Sequence, residues 1–65
     1  MEIWKAKVTF ADSVGQCRVV YVDRSFEDDT PMVDISDRLY EVAAEKLPDQ
    51  GEDWDMIEII EEQIL

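Results

Sequence analysis

Histidine is absent from this 65-residue chain, and cysteine occurs once, at Cys17. Without histidine no Ser-His or Cys-His pair can activate a nucleophile. A lone cysteine forms no internal disulfide and falls short of a structural zinc site, which draws on several Cys and His ligands. Glycine is nearly as scarce. Gly15 and Gly51 stand alone, so no glycine-rich loop is present to cradle a phosphate. No cofactor is therefore expected. No apolar run approaches the ~18 residues of a membrane span. The opening Met1-Glu2-Ile3-Trp4-Lys5-Ala6-Lys7 lacks the unbroken apolar stretch of a signal peptide. The expectation is one cytoplasmic domain over residues 1–65.

Basic residues are also few. Six Lys+Arg face 17 Asp+Glu, a formal net charge of −11. That balance argues against direct nucleic-acid binding, which needs clustered Lys/Arg, and against docking on anionic membranes. A hard cation is what such acids could hold unaided. Asp49-Gln50-Gly51-Glu52-Asp53-Trp54-Asp55 invites comparison with an EF-hand loop. It fails that comparison, because Gly51 sits at a ligand position, Trp54 replaces the turn glycine and Ile60 replaces the final bidentate Glu. Glu27-Asp28-Asp29 offers contiguous carboxylates without a cage. Paired carboxylates for glycoside chemistry need a cleft, which so short a chain hardly provides. No catalytic or metal-ligating residue is assigned, and the chain reads as a non-enzyme.

What is present is periodicity. Trp4, Ala6, Val8 and Phe10 alternate with Lys5, Lys7 and Thr9, the pattern of a half-buried strand. Asp12-Ser13-Val14-Gly15 carries turn residues. Cys17 to Asp23 is β-branched and aromatic, which predicts a second strand and an antiparallel hairpin. Cys17 is expected there as a small buried hydrophobe. Thr30-Pro31 signals a helix start, with Thr30 or Asp34 as the cap. Ile35, Leu39, Val42, Ala43 and Leu47 recur at helical spacing until Pro48 and Gly51 end the run.

The tail from Trp54 to Leu65 fits either a helix capped by Asp53 or a strand. The strand is preferred, because a lone hairpin is marginal and a third strand beside the first would bring Ile57 and Ile59 to the core. Glu58 would then approach Lys5 or Lys7. The expected fold is a single small α+β domain, β-β-α-β, with one helix on one face of a three-stranded antiparallel sheet. On its open face, Arg18, Val20, Val22 and Arg24 are expected to join Lys5, Lys7, Thr9, Met56 and Ile60. Such a mixed patch predicts a homodimer.

Charge is unevenly distributed along the chain. The first 26 residues hold Glu2, Asp12 and Asp23 against Lys5, Lys7, Arg18 and Arg24. All the other acids follow, opposed only by Arg38 and Lys46, so the excess lies in the second part. At 100° per residue Asp34, Asp37, Glu41 and Glu45 fall within roughly 80°, opposite the apolar set, and rise about 16 Å along the helix. Glu27, Asp28 and Asp29 precede this stripe; Asp49, Glu52, Asp53 and Asp55 follow it. Together they predict an extended anionic ridge suited to a basic protein partner, such as a nucleic-acid-binding enzyme or effector complex. Trp54 is either an aromatic anchor on that surface or a core-closing residue. Acidity serving solubility alone, on an accessory interaction module, is the competing reading.

The run Val8-Thr9-Phe10, Val19-Val20-Tyr21-Val22-Asp23, the helix and Trp54-Asp55-Met56-Ile57-Glu58-Ile59-Ile60-Glu61 resembles small phage-encoded β-β-α-β proteins. These include anti-CRISPR proteins and acidic inhibitors of uracil-DNA glycosylase. The resemblance lies in layout, size and acidity, and implies an inhibitor acting by binding, often at a nucleic-acid site of a bacterial defence or repair enzyme.

Overall fold

The computed structural model describes residues 1–48 and 52–65. Strands β1 (Glu2–Asp12), β2 (Cys17–Phe26) and β3 (Trp54–Gln63) form an antiparallel sheet in the order β2-β1-β3, and helix α1 (Met32–Glu45) lies between β2 and β3 in sequence. The expected β-β-α-β layout is present, with the tail as a strand. Asp49 and Gly51, named above as ridge acid and helix stop, lie outside the described residues.

The hairpin begins from Asp12. Its carboxylate accepts hydrogen bonds from the Val14 and Gln16 amides at 3.0 and 2.8 Å. Gly15 closes the loop at φ +87°, a left-handed conformation that costs a side-chain-bearing residue about 1–2 kcal/mol. A Cβ there would meet nothing within 4 Å, so any cost is backbone strain alone. Gly15→Val is expected to lower the urea midpoint by a loss on that scale, and Gly15→Asn by much less, because Asn tolerates this region.

Loop length then decides which side of β2 is buried. The register sets Val20 opposite Val8 and Val22 opposite Ala6, and residues opposed in an antiparallel ladder share a face. Val20 and Val22 therefore enter the core, whereas Val19 and Tyr21 are exposed. This reverses the expected parity. The open face carries Val19, Tyr21 and Asp23 beside Lys5, Lys7 and Thr9. Cys17, expected inside, is exposed; it stands opposite Ala11 on the open-face parity.

In β3 the register shifts between Thr9 and Phe10, so Glu58 opposes Thr9 while Met56 opposes Phe10. Ile57 is the extra residue of this bulge and is 59% exposed. It does not reach the core, and Met56 falls on the helix side rather than the open face. Ile59, opposite Val8, is the isoleucine that packs inward, and Ile60, opposite Lys7, faces out. Lys5 pairs with Glu62 at 3.4 Å, and Glu58 stands across from Thr9.

Helix α1 starts at Met32 with Pro31 in the capping position and no side-chain cap. Thr30 instead donates its hydroxyl back to the Glu27 carbonyl, closing the turn before the helix, and Asp34 lies within the first turn. The predicted apolar set Ile35, Leu39, Val42, Ala43 and Leu47 is buried against Ala6, Val8, Phe10, Val20 and Val22. The helix packs chiefly on β2 and β1. At ~1.5 Å per residue its 14 residues are much shorter than strands rising ~3.3 Å per residue. The sheet outruns its cover. Trp4, Phe26, Trp54 and Ile59 are consequently only half-buried at the margin of the core.

Candidate functional site

The helix positions the acidic stripe. Because Ile35, Leu39 and Val42 hold one side of α1 against the sheet, Asp34, Asp37, Glu41 and Glu45 are all exposed. Arg38 lies beside them, its guanidinium 3.3 Å from the Glu41 carboxylate. Asp34 sits in the first turn, where the helix dipole favours a negative charge; Glu45 sits in the last, where it does not. No basic residue occupies that last turn.

Glu27, Asp28 and Asp29 are exposed in the connection leading to α1. Asp29 adopts φ 71°, and Asp28 lies 2.8 Å from the amino group of Met1. Glu52 and Asp53 are exposed before β3. Asp55 is exposed near the start of β3. It lines a shallow groove of about 410 Å³ with Ser36, Asp37, Tyr40, Met56 and Ile59. Its backbone pairs opposite Ala11 on β1, on the open-face parity of this edge strand.

That groove holds features that periodicity alone did not reveal. Tyr40 is 39% and Met56 40% exposed, so the groove that Asp37 and Asp55 line also presents apolar surface. Tyr40 is braced by Phe10, with ring centroids 6.1 Å apart. Ser36 donates its hydroxyl to Glu61, tying the helix to β3 at the lower edge of the same side. The signal for Tyr40 is its i, i+3 spacing from Asp37 on the helix surface. Met56 carries no such signal, since only the bulge turns it toward the helix.

Trp54 closes the core margin. It packs against the buried cluster, and the Arg18 guanidinium lies 5.5 Å from its ring centroid. Among the described residues no three Asp, Glu or Cys side chains converge as a metal site, and no helix is long and apolar enough to cross a membrane. The surface presents carboxylates at helical spacing along the polar face of α1, with an aromatic and a thioether side chain in the groove beside it. Compared with known proteins, the chain matches no family model, no curated protein and no solved structure.

Proposed function

We propose that this is a non-enzymatic acidic protein that binds and blocks the basic, nucleic-acid-binding site of a bacterial defence or repair protein. Its action is that of a DNA mimic of the anti-CRISPR type, in the cytoplasm of the host cell of a phage. The observation that carries this reading is the exposed row Asp34, Asp37, Glu41 and Glu45 on a helix whose opposite side is fixed in the core. Such a row places one carboxylate per ~5.5 Å of helix, against one phosphate per ~3.4 Å of each DNA strand. A Lys/Arg groove built for DNA meets a comparable line of charge. The strip of Tyr40 and Met56 beside Asp37 and Asp55 adds the apolar contact that centres many protein interfaces.

The test starts by capturing the partner from a bacterial lysate and identifying it by mass spectrometry. Its affinity for the protein is then followed from 0.1 to 1 M salt, over which Debye screening tightens from about 10 to 3 Å. Affinity should fall steeply with salt, and duplex DNA should compete. A complex indifferent to salt, with DNA still bound to the partner, would leave the acids a solubilising surface only.

A further inference from the structure

The two edges of the sheet are not equivalent. Edge strand β3 carries Asp55, Glu58, Glu61 and Glu62 and is interrupted by the Ile57 bulge. Both are devices that keep another strand from adding to an edge. Edge strand β2 has no bulge and fewer charges. It runs ten residues with no Pro, no Gly and no register shift, and bears two arginines against one aspartate. In a chain of net charge −11, it is the edge that another copy can approach with least repulsion.

The backbone groups on that edge can be assigned. The Asp12 amide donates to the Gln16 carbonyl at 3.0 Å, so Asp12 and Gln16 form a hydrogen-bonded pair. Such pairs alternate along an antiparallel ladder. Arg18, Val20, Val22 and Arg24 therefore bond to β1, while the N–H and C=O of Cys17, Val19, Tyr21 and Asp23 point away from the sheet. Val19 and Tyr21 are 44% and 69% exposed in side chain as well.

We infer that β2 pairs antiparallel with β2 of a second copy, extending the two sheets into one. Residues opposed across the new ladder must share a face and must both present outward backbone groups. One such register puts Arg18 opposite Arg24 of the other copy, a like-charge pair that costs stability. The register centred on Val20 avoids this. It opposes Val19 to Tyr21 of the other copy, twice by symmetry, giving β-branched–aromatic pairs of the favoured kind. The two helices then lie on the same side of the joined sheet, and the dimer presents two acidic stripes together.

Sedimentation and amide exchange, measured from micromolar to millimolar concentration, test this. The expected result is a dimer that strengthens with salt, because screening relieves the repulsion between two acidic copies, with the Val19, Tyr21 and Asp23 amides gaining protection as it forms. The double variant Val19→Lys, Tyr21→Lys makes the net charge less negative, yet should raise the dissociation constant roughly tenfold or more by removing both pairs and placing lysines on the edge. Val19→Pro, which deletes one outward N–H and no bond to β1, should act in the same direction. Unchanged exchange of these three amides at every concentration overturns the proposal. So does a dimer that survives the lysine pair, or protection that rises along β3 instead.

Discussion

Leu39→Ala is expected to leave the protein largely unfolded at room temperature. Leu39 lies in mid-helix, is fully buried, and belongs to the cluster that joins α1 to the sheet. Truncating a buried leucine costs about 2–5 kcal/mol, from the lost transfer energy and the cavity left behind. A core in a chain of this size stabilises by only ~3–5 kcal/mol in total, and repulsion among the acids works against it. The loss thus rivals the whole stability. Circular dichroism through a urea titration should show a lowered midpoint or no folded baseline. Val33→Ala is the matched control on the same helix. Val33 is 64% exposed, and its truncation should move stability by no more than about 0.5 kcal/mol.

The second large effect is expected in binding, with the fold retained. In the triple variant Asp37→Lys, Glu41→Lys, Glu45→Lys, three reversals add six charges to −11, leaving −5. All three positions are exposed. The Arg38–Glu41 pair is lost, but an exposed pair of this kind contributes only ~0.3–0.5 kcal/mol. Against that loss, a lysine at position 45 suits the helix C-terminus better than the native glutamate. Stability should therefore change little. A partner holding the stripe in a basic groove would instead meet repulsion where it met attraction. At about 1 kcal/mol per close exposed pair, counted once for the loss and again for the reversal, affinity should drop on the order of 10,000-fold. Calorimetry with the captured partner measures the drop, and thermal melting confirms the fold. A folded variant that binds as tightly as the native chain would assign the stripe to solubility.

Much of the architecture was written in one-dimensional pattern. The strict alternation of Trp4, Ala6, Val8 and Phe10 with Lys5, Lys7 and Thr9 admits one inward face, and the structure turns it inward, burying Ala6, Val8 and Phe10 and half-burying Trp4. The spacing of Ile35, Leu39, Val42, Ala43 and Leu47 likewise admits one helix face, which places Asp34, Asp37, Glu41 and Glu45 in water. Both segments pair an apolar side with a polar side, so local periodicity suffices to orient them. Strand β2 lacks that asymmetry: Val20 and Val22 on one parity compete with Val19 and Tyr21 on the other. The hairpin register settled which pair turned inward. The tail was equally balanced between helix and strand, and pairing with β1 decided it. One extra residue at Ile57 then turned Met56 toward the helix. These outcomes rest on contacts between segments far apart in the chain. A residue's face follows from its own neighbours only where those neighbours differ in polarity; elsewhere it follows from the strand it pairs with.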